Sequence, residues 1–160
     1  MLKFLYVTDT HIRGTTPKNR LDNFVDTLKE KLTEIIELAN EENVDVLLHG
    51  GDLFDRPDLA PNVVAQFAKI FMRAQMPIYA VAGNHDTFGH NPETLSRTML
   101  GLMDSFDVIS VITPERPVLI EKDGLRVQIS GQSYHYDLDI RDPKLDYYPA
   151  NETEADVLIH

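Results

Sequence analysis

Three short stretches carry side chains able to bind a metal ion or move a proton, and each follows directly on an apolar run. Asp9-Thr10-His11 follows Phe4 to Thr8. Gly51-Asp52-Leu53-Phe54-Asp55 comes shortly after Val44 to Leu48. Gly83-Asn84-His85-Asp86 follows Pro77 to Ala82. Such endings read as strands delivering their chemistry to one edge of a sheet, where open α/β folds place their sites. A fourth apolar run, starting at Ala155, ends on His160. Together Asp9, His11, Asp52, Asn84, His85 and His160 form a mixed oxygen and nitrogen donor set. Such a set suits Mn, Fe or Zn better than Ca or Mg alone. Two ions about 3.5–4 Å apart would clamp a phosphate and activate a water. They need a shared carboxylate, and Asp52, after the middle strand, is the natural bridge. Asp9 and His11 are two residues apart, so on extended backbone both side chains leave on the same side.

The elements that must position these residues are legible around them. Leu2 to Thr8 reads as a buried strand. Phe24, Leu28, Leu32, Ile35, Ile36 and Ala39 recur at three- and four-residue steps, the period of an amphipathic helix of roughly twenty residues. Val44 to Leu48 is the second strand, so strand, helix and strand make a right-handed βαβ unit with parallel strands. Pro61 is a natural first-turn residue for a second helix running to about Ala74. Pro77 starts the third strand. Asn91-Pro92-Glu93 reads as the capped start of a third helix carrying Leu95, Met99, Leu102 and Met103. After Phe106 the pattern turns to short β segments, Val108 to Ile112, Pro117 to Glu121 and Leu125 to Ser130, expected to form an antiparallel meander. Lys122-Asp123-Gly124 is its hairpin turn. Tyr134 to Asn151 reads as an irregular loop, and Ala155 to His160 as one more buried strand. The expected fold is a layered α/β domain over 1–160, a mixed β-sheet core flanked by helices.

The three motifs, in order and each after a strand, resemble those of the calcineurin-like metallophosphoesterases. Asp-Leu-Phe-Asp-Arg-Pro at 52–57, between two helices, is most similar to the SbcD-type DNA repair exonucleases, over most of residues 1 to 113. The resemblance implies that Asp9 and His11 hold a first ion, Asp52 bridges, and Asn84 and His160 serve the second. It implies two divalent cofactors, most naturally Mn. It places His85 beside the scissile phosphate, stabilising developing charge or protonating the leaving oxygen, with Asp86 orienting it through a hydrogen bond. It further implies a DNA substrate, an SbcC-type ATPase partner in the full-length protein, and a homodimer. The family completes its metal shells with a later Gly-His-x-His motif that does not occur in these 160 residues. A domain rarely stops on the last residue of a central strand, so the chain is expected to be C-terminally truncated.

Composition narrows the field further. The net charge of −11 makes the chain a poor generic binder of phosphate backbone, and there is no basic stripe. Acidic residues that keep the protein soluble and carboxylates that bind cations both fit this balance. No apolar run reaches the length of a membrane span, and no secretory leader opens the chain. With no cysteine there is neither disulfide nor thiolate metal site, which fits a reducing cytoplasm. Two alternatives to a DNA nuclease stand beside it: a phosphoesterase on small diesters or monoesters, which the acidic charge slightly favours, and a non-catalytic scaffold holding one ion loosely. Outside the motifs, His49 reads as a core histidine or one supporting a ligand, and His90 as a loop residue. His135 has no evident partner. Arg13 and Arg56 are phosphate donors or solvated, and Asp55 supports the site or caps the next helix.

Overall fold

The computed structural model describes residues 1–137, 140, 142, 150 and 153–160. A first sheet has the order β1 (Phe4–Val7), β2 (Val46–His49), β3 (Ile78–Ala80), β4 (Ser110–Val111), and every neighbouring pair is parallel. The crossovers are α1 (Phe24–Glu41), α2 (Pro61–Phe71) and, before β4, α3 (Met99–Ser105). A second sheet holds β5 (Val118–Lys122), β6 (Leu125–Ile129) and β7 (Val157–Ile159), antiparallel then parallel.

Side chains alternate across a strand, and that period splits the first sheet between two cores. Leu5, Leu47, Ile78, Ala80 and Val111 join Leu32 and Ile36 of α1 and Val64, Phe67 and Ile70 of α2 in the larger core. Phe4, Val46, Leu48, Tyr79 and Val81 turn the other way and meet Val127 and Ile129 of the second sheet. The layers are therefore helices, parallel sheet, mixed sheet. Burial on both faces is the usual condition of a parallel sheet. Asp45 ties the layers at one end, accepting from the Lys3 amide at 2.8 Å and the Lys122 ammonium at 2.5 Å. That Lys122 bond, with the Lys3 amide, holds its carboxyl below the usual carboxylate range.

Local signals account for most boundaries. Asn23 caps α1 through the Asp26 amide, and Pro61 opens α2. Asp123 and Gly124 both adopt positive φ, 55° and 77°, as a two-residue hairpin turn requires. Several expectations are corrected. β1 is an edge strand rather than a buried one, with Tyr6 65% exposed. β4 is no part of a meander but the fourth parallel strand of the first sheet. The third helix is broken: Pro92–Arg97 is 3₁₀, and Thr98 then caps α3 by accepting from the Gly101 amide. β7 is the edge of the second sheet, with Val157 and Leu158 about two-fifths exposed, not a buried central strand. Much of the expected loop from Tyr134 to Asn151 lies outside the described residues. Among the described residues, no helix is long and apolar enough to cross a membrane.

Candidate metal centre

Val7, His49 and Ala80 stand in register across β1, β2 and β3, so three motifs leave the sheet at one level. They do not leave as extended strands. Asp9, His11 and Asp52 have φ of 55°, 44° and 52°. A left-handed backbone at a non-glycine residue persists only where surrounding structure imposes it, and such residues cluster at functional sites. The imposing bonds run between the first two loops. Asp9 N–H donates to Gly51 C=O at 3.1 Å, His11 N–H to Asp52 C=O at 3.0 Å, and Ile12 N–H to Leu53 C=O at 2.8 Å. Asp9 and His11 therefore meet because the chain curls, and not by the pleat of a strand as the spacing suggested. His11 Nε2 lies 3.6 Å from Asp9 Oδ1 and 3.9 Å from Asp52 Oδ2.

The third loop lies against Asp52. His85 N–H donates to Asp52 Oδ1 at 2.9 Å. A Cβ on Gly83 would stand 2.0 Å from that same oxygen and 2.3 Å from the Asp52 nitrogen. Only glycine permits the approach. Asn84 stands between Gly83, whose amide is tied to Asp86, and His85, whose amide is tied to Asp52. The rings of His11 and His85 meet edge to face with centroids 4.9 Å apart. One donor atom each from His11, Asp52 and His85 falls within 4.8 Å of the others.

The bonds of two neighbouring carboxylates, Asp86 and Asp55, bear on the parts expected of them. Asp86 is fully buried, and both its oxygens are engaged by backbone amides. It accepts from the amides of Leu53 (3.2 Å), Phe54 (2.8 Å) and Gly83 (2.9 Å), clamping the second motif to the third. Burial pushes its carboxyl up, against those three donors that hold it down. His85 is oriented instead by a backbone group: its Nδ1 lies 2.9 Å from the Asp55 C=O. A carbonyl only accepts, so Nδ1 carries the proton and Nε2 is left to exchange one. Sequence reasoning had no means to single out that carbonyl. The Asp55 carboxylate does not cap α2; it faces Arg13 at 3.4 Å. Arg13 Nε is buried with no hydrogen-bond partner among the described residues, and Arg56 pairs with Asp58 at 3.5 Å.

His160 is not one of the three residues whose donor atoms fall together. Its Nδ1 is 2.9 Å from Ser130 Oγ, and it lines a cavity of about 570 Å³ between the sheets together with Tyr6, His49 and Gly50. His135 has a partner after all, pairing with Asp137 and stacking on Tyr136, while His90 meets the edge of Tyr134.

His49 is 3% exposed. Burial pulls its imidazole down to about 4, against the raising influence of Asp9 and Asp52. Above the ordinary value of 6.5 neither the folded nor the unfolded chain protonates it, and stability is full. As pH falls below 6.5 the unfolded chain takes a proton that the fold refuses. By about pH 4 this one residue has withdrawn on the order of 3 kcal/mol. Urea melts at pH 7 and pH 5 are expected to show a steeper loss for the parent than for His49→Gln. Parallel profiles would remove the histidine as the cause.

The family model for calcineurin-like phosphoesterase matches residues 2–159. The chain belongs to the calcineurin-like phosphoesterases. Curated relatives are similar at moderate identity. A DNA double-strand break repair protein Mre11 from Saccharolobus solfataricus is 27% identical over 124 residues, 76% of this chain and 31% of the relative. The protein of the same name from Aeropyrum pernix is 33% identical over 66% of this chain and 26% of the relative. The SbcD component of nuclease SbcCD from Bacillus subtilis is 31% identical over 59% of this chain and 24% of its own length. The chain thus spans 24–31% of the length of these three relatives. Calcineurin-like phosphoesterases bind divalent metals, and the His11, Asp52 and His85 cluster supplies donors of the right chemistry.

Proposed function

We propose that this chain carries the metal-dependent catalytic machinery of a DNA repair nuclease and hydrolyses phosphodiesters. The observation that carries the reading is convergence: His11, Asp52 and His85 reach one point from three parallel strand ends, in a chain of phosphoesterase family. The names of the relatives supply the substrate.

Asp9, His11, Asp52 and Asn84 would hold two divalent ions. His160, with Nδ1 engaged by Ser130, would offer Nε2 from the second sheet. The mixed donors favour Mn. When bound, the ions would offset charge on the phosphoryl oxygens and make a water more acidic. The chain's own residues do the rest. The Asp55 carbonyl holds one proton on His85 Nδ1, so Nε2 is the atom that takes up a second proton, giving the imidazolium, and passes it to the leaving oxygen. Asp86 acts on the backbone beneath, keeping the third loop seated on the second. An SbcC-type ATPase partner, a homodimer and a cytoplasmic location belong to the same proposal. Similarity to a component of the SbcCD nuclease supports the first, and the absence of cysteine supports the last.

The test is hydrolysis of linear duplex DNA and of bis-p-nitrophenyl phosphate with Mn²⁺ or with EDTA. Cleavage of both, lost in EDTA, is expected. Cleavage of the small diester alone would replace the nuclease by a small-substrate phosphoesterase, and no turnover with a single weakly bound ion would leave a scaffold. His85→Ala is expected to bind Mn²⁺ within a few-fold of the parent and lose roughly 10²–10⁴-fold in turnover. Parental turnover would remove the proton-donor role, and lost Mn²⁺ binding would make His85 a ligand.

A further inference from the structure

His49 ends β2 in the middle of the site without belonging to any of the three motifs. Its ring is buried, and its two nitrogens are engaged on opposite sides. Gly51 N–H donates to Nδ1 at 3.3 Å. Nδ1 therefore carries no proton, and in the neutral ring Nε2 carries it. Nε2 faces Thr10 Oγ1 at 3.1 Å and is the donor there, because the Thr10 hydroxyl proton goes to the Leu53 C=O at 3.0 Å. The bonds form one directed chain: Gly51 N–H to His49, His49 to Thr10, Thr10 to the Leu53 carbonyl. Thr10 lies between Asp9 and His11, and Gly51 and Leu53 flank Asp52. A single imidazole thus fastens the loop bearing two candidate ligands to the loop bearing the candidate bridge.

We propose that His49 is a positioning residue for the metal centre, acting through Thr10 to hold Asp9, His11 and Asp52 in one donor geometry. The inference rests on the ion-binding roles proposed above for those three residues. Asp9, His11 and Asp52 sit in left-handed conformations that relax unless restrained, and a polar chain with every member satisfied is a stiff restraint. Tyrosine or phenylalanine would fill the volume of His49 but could not both accept from Gly51 and donate to Thr10 in this arrangement. Glutamine can place an amide N–H near the position of Nε2, and so retains the half that reaches Thr10.

The experiment is Mn²⁺ titration calorimetry on the metal-free full chain, with its melting temperature recorded separately. His49→Leu is expected to weaken Mn²⁺ binding roughly 10–100-fold, as is typical when an outer partner of a ligand is lost. His49→Gln should recover most of that loss. Thr10→Val breaks the same chain without altering the buried imidazole site, so it serves should His49→Leu fail to fold. It is expected to weaken binding to a similar degree, and the two losses should not add. Parental Mn²⁺ affinity in Thr10→Val, or in a folded His49→Leu, overturns the proposal. So does a His49→Gln protein no better than His49→Leu. Absence of Mn²⁺ binding in the parent would overturn it together with the metal centre itself. A parent that binds Mn²⁺ but cleaves no DNA would leave the positioning role standing and sink the nuclease alone.

Discussion

Asp52→Asn is expected to abolish both Mn²⁺ binding and phosphodiester hydrolysis while leaving the fold in place. The substitution is chosen because the side chain has two duties that asparagine separates. One is structural: Oδ1 accepts from the His85 amide at 2.9 Å and lies where Gly83 has no side chain. An asparagine oxygen of the same size can still accept that bond. The other is electrostatic. The Asp52 carboxylate stands 3.9 Å from His11 Nε2, in the loop after the middle of the three strands that lead into the motifs. If it is shared between two ions, its charge counts twice, and no neighbour can replace it. Mn²⁺ affinity should fall beyond the 10–100-fold typical of a residue that only supports a ligand. Turnover should fall more than about a thousandfold, on the order of 4 kcal/mol in the barrier. Calorimetric titration and cleavage of bis-p-nitrophenyl phosphate read the two losses, and a melting curve without metal checks the fold. An Asp52→Asn protein that titrates with Mn²⁺ like the parent would end the role of Asp52 as bridge.

Asp86→Ala is expected to cost stability before anything else. The carboxylate is fully buried and accepts from three backbone amides drawn from two loops. Removing it leaves the two buried amides of Leu53 and Phe54 and the half-buried amide of Gly83 without acceptors, each buried one worth about 1–3 kcal/mol. The total is about 3 kcal/mol or more, equivalent to a fall of roughly 6–12 °C in melting temperature for a chain of this size. Asp86→Asn keeps one acceptor oxygen and should lose less. Were Asp86 instead acting on the His85 ring, Asp86→Ala would melt near the parental temperature and lose turnover alone. That outcome would contradict the clamp seen between Leu53, Phe54 and Gly83.

Much of this arrangement could be read from residues in a row. Short apolar runs placed β1, β2 and β3, and the three- and four-residue recurrence from Phe24 placed α1, because these signals are local. Membership of a sheet is not local. Val108 to Ile112 looked like part of a meander, yet Tyr79↔Ser110 and Ala80↔Val111 pair in parallel. Nothing within those five residues states which neighbour they will find. The same holds for Val157–Ile159, apolar enough for a centre yet left at an edge.

The site divides along the same line. Which side chains could serve, Asp9, His11, Asp52, Asn84 and His85, is a matter of residue type and order, and the sequence alone determined that three strand ends carry them. Tertiary structure decided how they are aimed. The left-handed turns at Asp9, His11 and Asp52 are imposed by hydrogen bonds between separate loops. The tautomer of His85 is set by the carbonyl of Asp55, and every residue has a carbonyl, so no letter in the sequence marks that one. His49 and Thr10 acquire their meaning only when two loops from different strands close around them.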